Sequence, residues 1–153
     1  MRTSTSATPV LLLLVLLAAC GGSDGPTAPA TNNGNGNTGG NNSSAPTVKT
    51  DPSFSSDIVP IFSRNGCTAG GCHGSPAQAG LNLASSPYAA LVSVASTQTG
   101  EHRVIPGDAA NSYLIKKLEG RASKGDRMPV GGQLSATDLT NLKNWINQGA
   151  KNN

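Results

Sequence analysis

The stretch Cys67-Thr68-Ala69-Gly70-Gly71-Cys72-His73 decides how the rest of this sequence is read. Two thiols, separated by four residues, precede a histidine. The common haem-attachment signature separates its cysteines by two residues. That chemistry needs two sulfurs that reach the two vinyl groups on one porphyrin edge, and an imidazole placed under the iron. Cys72 and His73, being adjacent, supply one thioether and the axial nitrogen. Cys67 must reach the other vinyl group, so the two extra residues have to loop out. Gly70-Gly71 gives the backbone that freedom. Three other chemistries compete for the same residues. A Cys67–Cys72 disulfide suits an oxidising compartment but leaves His73 without a role. A zinc site lacks a fourth ligand, and His102 has no matching spacing. A thioredoxin-like pair wants two intervening residues and a βαβ setting.

Upstream of this motif the chain changes character twice. Arg2 and the apolar run Val10–Ala19 precede Cys20. Ten apolar residues are about half of what a bilayer-spanning helix needs, and they fit the core of a secretory signal. Leu17-Ala18-Ala19-Cys20 resembles a bacterial lipobox. The resemblance implies cleavage before Cys20 and lipidation of that cysteine, and Gly21 behind it suggests sorting to the outer membrane. Residues 1–19 are therefore expected to be a lipoprotein signal peptide. Residues 20–50 form a Gly/Asn/Ser-rich linker with nothing to bury, and it is expected to be disordered. Such a tether has an r.m.s. reach of roughly 30 Å and a stretched limit near about 100 Å.

Residues 51–153 read as the folded part. Phe54, Ile58, Ile61 and Phe62 recur at helical spacing, with Ser55 or Ser56 as caps, Pro60 tolerable in a first turn, and Asn65-Gly66 as a stop. A short helix is expected from Pro87 through Tyr88 to Val94. Another is expected from Ala109 to Glu119, capped by Asp108 or Asn111 and ended by Gly120. The last runs from Ala136 to Gln148, with Ser135 and Asp138 spaced as in an acidic capping box and Gly149 at its end. Leu139, Leu142, Trp145 and Ile146 give it one apolar face. No run alternates like a strand for more than a few residues. The fold class is all-α. Only 3% of residues are aromatic and 12% charged, so a core of aromatics alone would be thin. The net charge of +3 includes Arg2, is scattered, and gives no support for nucleic-acid binding.

Several stretches together resemble a family of small bacterial cytochrome c domains. They are Ile58-Val59-Pro60-Ile61-Phe62, Ala79-Gly80-Leu81-Asn82-Leu83, Val104-Ile105-Pro106-Gly107-Asp108, Asn111-Ser112-Tyr113-Leu114-Ile115-Lys116-Lys117-Leu118, Arg127-Met128-Pro129, Leu134-Ser135 and Asn144-Trp145-Ile146 to Gly149-Ala150. The resemblance spans about residues 51–150. It implies a small cytochrome c-like helical domain wrapped around one haem c, attached through Cys67 and Cys72, with His73 as axial ligand.

A c-type haem with His on one face commonly takes Met or His on the other. Met128 is the sole methionine after the signal, and Pro129 biases it toward extended backbone that can lie across a haem face. The resemblance points to Met128 as well. His102 is the second candidate, set in a polar stretch that reads as a solvated loop. Trp145 reads either as a core residue or as an indole donor to a haem propionate. Lys116 and Lys117 read as a solvated helix end. The function implied is extracytoplasmic one-electron transfer without catalysis. The partners expected are redox proteins, and the membrane through the lipid at Cys20. The alternatives are a haem enzyme or gas sensor with an open distal site, and a disulfide-bonded binding lipoprotein.

Overall fold

The computed structural model describes residues 45–153, so the signal, Cys20 and most of the linker lie outside the described residues. Four α-helices carry the fold: α1 (Val59–Arg64), α2 (Pro87–Leu91), α3 (Tyr113–Glu119) and α4 (Ala136–Asn147). Among the described residues there is no sheet, only three isolated bridges. The domain is helix-rich and all-α, as its patterning requires.

The first helical segment opens with a π turn over Phe54–Ile58 that runs directly into α1. Pro60 sits in the first turn of α1, where its missing N–H costs least. Neither Ser55 nor Ser56 caps the segment. The Asp57 carboxylate instead accepts from the Ser53 N–H at 2.9 Å. Asn65 and Gly66, the latter at φ +70°, close α1 at the expected place.

Two helices are shorter than their sequence patterns. The expected helix to Val94 stops at Leu91, because the chain beyond it pairs with another segment: Ser93 N–H donates to the Val104 carbonyl and Arg103 N–H to that of Val94. The expected start at Ala109 moves to Tyr113. Asp108 does cap a turn there, accepting from the Asn111 N–H at 3.1 Å. The Ser112 hydroxyl is occupied on the preceding loop, accepting from the Ile105 N–H at 2.9 Å and donating to the Asp108 carbonyl at 2.7 Å. α3 ends as expected on Gly120 in left-handed conformation. α4 follows its pattern closely. The Ser135 hydroxyl accepts from the Asp138 N–H, and the helix buries Leu142, Trp145 and Ile146.

The core gathers fifteen buried apolar residues, mostly aliphatic, drawn from the helices and from the segments between them. At about 1.5–3 kcal/mol per large side chain removed from water, these supply most of the driving force. Phe54 stacks on Trp145 with ring centroids 5.0 Å apart, and meets Tyr88 edge-on at 5.2 Å. The C-terminus folds back over the π turn, where the Ser55 N–H donates to the Asn153 carbonyl at 2.8 Å. On the far side of α4, Asn141 accepts from the Lys49 N–H at 2.8 Å and donates to the Thr47 carbonyl at 2.9 Å. No helix among the described residues is long and apolar enough to cross a membrane.

Candidate functional site

The five residues after Cys67 form a loop that closes on itself. The Cys67 N–H closes the end of α1 by donating to the Phe62 carbonyl, five residues back, at 2.8 Å. The chain then turns through the Cys72 N–H, which donates to Ala69, and returns so that the His73 N–H donates to the Cys67 carbonyl at 2.9 Å. The longer cysteine spacing is thus absorbed in the loop, and the two ends of the motif lie side by side. Gly71 takes the left-handed conformation, at φ +84°, that the looped-out connection needs. Gly74 has a different role, which the spacing did not signal. A Cβ there would stand 2.3 Å from the Thr68 carbonyl oxygen, so the residue after His73 must lack a side chain for the loop to close.

His73 is anchored through both main chain and ring. Its carbonyl accepts from the Leu83 N–H at 2.7 Å, and its Nδ1 lies 3.2 Å from the Gln78 carbonyl oxygen. A carbonyl can only accept, so Nδ1 carries the proton and Nε2 keeps its lone pair. That is the arrangement in which a backbone carbonyl orients a metal-binding imidazole. Burial lowers the His73 pKa, the Gln78 and Leu81 backbone opposes the shift, and the Arg103 and Lys117 charges reinforce it. The ring therefore favours the neutral form, the one that can coordinate a metal.

Cys67 carries a free thiol and is not paired with Cys72, which has a partner of its own. Burial pushes this thiol up and keeps it protonated. No group of three or more His, Cys, Asp and Glu converges among the described residues.

Met128 lies in the irregular segment between α3 and α4, half-buried against the edge of the core, as are Cys67, Leu81 and Leu114. Its N–H donates to the Lys117 carbonyl at 2.9 Å, and its peptide bond to Pro129 is cis. A hollow of about 590 Å³ beside it is lined by Asp126, Arg127 and residues 129–133; Cys67, Cys72 and His73 do not line it. The structure thus brings Cys67, Cys72 and His73 together by local turns, and brings Met128 to the core edge by a separate route through α3. The residue common to both is Lys117, whose charge acts on His73 and whose carbonyl holds Met128. His102 is exposed, and its carbonyl accepts from the Tyr113 N–H, as befits a loop histidine.

Of the two readings of Trp145 the core one holds, and the expectation for Lys117 needs correction. The Trp145 indole donates to the Lys151 carbonyl at 2.9 Å and the ring is fully buried, so it is a core residue already committed. Lys116 does lie toward solvent, paired with Glu101, but Lys117 is buried. Arg103 went unnoticed in the sequence. It too is buried, donating to the Ala79, Gly80 and Ala90 carbonyls, and so it braces the segment that holds His73. An arginine between His102 and Val104 gives no hint of this by itself.

The chain matches no family model, no curated protein and no solved structure.

Proposed function

We propose that this chain is an exported, lipid-anchored one-electron carrier with one haem c attached through Cys67 and Cys72, and with His73 and Met128 as axial ligands. The observation that carries this reading is the closed Cys67–His73 loop with its oriented imidazole: both sulfur positions and a neutral, Nε2-available histidine belong to one compact turn. The donor set suits the group: two thiols and an oriented imidazole in one turn, and in Cys67, Leu81, Leu114 and Met128 apolar side chains that are only partly covered by the core. When bound, the haem supplies a reversible one-electron couple. The chain's own contribution is positional. Gln78 fixes the imidazole tautomer, the core edge excludes water, and Met128 offers a soft thioether that favours the reduced state over a second histidine. With His73 and Met128 both holding the iron, no position on it would be left for a substrate. The redox partners are other envelope proteins, and the membrane is reached through Cys20 at the bacterial cell surface or periplasmic face.

The test is covalent attachment. Protein made with a cytochrome c maturation system should keep its haem through boiling and denaturing electrophoresis. Cys67→Ser/Cys72→Ser should lose it, and the mass should begin at an acylated Cys20. Wild-type protein without haem mass would overturn the proposal.

A further inference from the structure

Lys117 stands in the last turn of α3 and is only 8% exposed. No ion pair among the described residues includes it. Its ammonium donates instead to two main-chain carbonyls of the next loop, Lys124 at 3.0 Å and Asp126 at 2.5 Å. The carbonyl of the same residue accepts from the Met128 N–H at 2.9 Å. The loop wraps the ammonium tightly, since a Cβ on Gly125 would stand 3.2 Å from Nζ. Next in line, Arg127 Nε donates to the Leu118 carbonyl at 2.9 Å. A buried cation without a countercharge is costly, and filling the same space with an apolar side chain would avoid that cost. What an apolar residue cannot do is satisfy inward-facing carbonyls from a chain with no regular structure. An ammonium, with three donors, can.

We infer that Lys117 is the positioning residue for Met128: its ammonium fastens the loop at Lys124 and Asp126 while its carbonyl fastens the Met128 amide, so that α3 sets where the thioether stands. The inference rests on the reading of Met128 as distal ligand and deepens it. Lys117 touches neither the sulfur nor the attachment loop through a hydrogen bond, so its effect should reach the ligand and spare the thioethers.

The experiment compares wild-type full-length holoprotein with Lys117→Met, Lys117→Arg and Lys116→Met. Haem attachment is read by mass, thioether ligation by the sulfur-to-iron charge-transfer band of the oxidised protein, and distal opening by carbon monoxide binding to the reduced protein. Lys117→Met should keep its haem. Its charge-transfer band should fade at lower temperature, and its carbon-monoxide-accessible fraction should rise by at least about tenfold, the size expected from losing charge-assisted hydrogen bonds. Lys117→Arg should recover part of the band, and Lys116→Met should match wild type. If Lys117→Met does not accumulate, Gly125→Ala carries the same expectation, because its Cβ crowds Nζ at a φ of +66°. A Lys117→Met protein that unfolds more easily but keeps the wild-type band and carbon monoxide behaviour would overturn the inference. A wild type with attached haem and no such band would instead overturn Met128 as ligand, and the inference with it.

Discussion

Asp138→Ala should destabilise the domain by about 2–3 kcal/mol. Asp138 is buried in the first turn of α4, and its carboxylate ties that helix to the end of α1. One oxygen accepts from Arg64 Nη2, and the other accepts from Arg64 Nε at 3.3 Å and Asn65 Nδ2 at 3.1 Å. Removing one member of a fully buried ion pair costs about 3–5 kcal/mol. The cost here is smaller because Arg64 is 38% exposed and can turn to water, and because Asn65 keeps a second partner in the Ile61 carbonyl at 2.8 Å. Hydrogen bonds to a charged group contribute about 1.5–3 kcal/mol, and a carboxylate at a helix N-terminus about 0.3–1 kcal/mol more. Alanine's better helix propensity returns about 0.5 kcal/mol. For a domain near 100 residues, the net loss lowers the Tm by about 10–15 °C. Thermal unfolding followed by far-UV circular dichroism measures it, with Asp138→Asn expected to lie between variant and wild type. A shift under about 3 °C would refute the idea that this buried carboxylate joins α1 to α4, since that corresponds to less than about 1 kcal/mol.

Met128→Ala should retain covalent haem, lose the sulfur-to-iron charge-transfer band, show a lower reduction potential and bind carbon monoxide when reduced. Absorbance spectra and a redox titration read all four, and an unchanged spectrum and potential would favour the enzyme or sensor alternative. Glu119 bonds to Lys143 and, against the opposing effect of burial, to Arg121, and its pKa lies below the ordinary value near 4.5. A depressed folded-state pKa adds stability above that ordinary value and loses it as pH falls through the lowered one. Urea titrations at about pH 5 and about pH 3 should therefore show a smaller acid loss for Glu119→Gln, by up to about 1 kcal/mol.

Elements whose signals are local were legible in the sequence. The start of α4 at Ser135 and its stop at Gly149, the end of α1 at Asn65-Gly66, and the left-handed glycine inside the cysteine motif all follow from residue chemistry at the position itself. Where a distant segment decided the outcome, the sequence misled. Val92 and Val94 could continue α2, but they pair with the 102–104 segment instead. The motif residues of the candidate site could be found by spacing. The residues that hold them could not: nothing in Gly74, Arg103 or Lys117 announces a missing Cβ, or a cation that will spend its charge on carbonyls. Lys116 and Lys117 are chemically identical neighbours, and only the loop that returns over α3 separates their roles.

The segments that bear the candidate ligands, residues 66–86 and 120–134, contain almost no regular structure of their own. Local turns satisfy some of their carbonyls, and long cationic side chains reaching out of the ordered part of the domain satisfy others. Arg103 takes the carbonyls of Ala79 and Gly80 near His73, and Lys117 takes those of Lys124 and Asp126 before Met128. This explains how a chain with only 12% charged residues can place two cations in its interior. Each restrains one ligand-bearing loop, so both loops are shaped by the protein rather than left to the group they would hold. For the proposed electron carrier that order has a consequence. Electron transfer is fast when ligands stay in place as the iron changes charge, and loops fastened from within resist displacement better than loops held only by the metal bond. The same two cations lie within electrostatic reach of His73, and among the described residues no carboxylate pairs with them. In the proposed electron carrier, two such cations would disfavour the extra positive charge of the oxidised state.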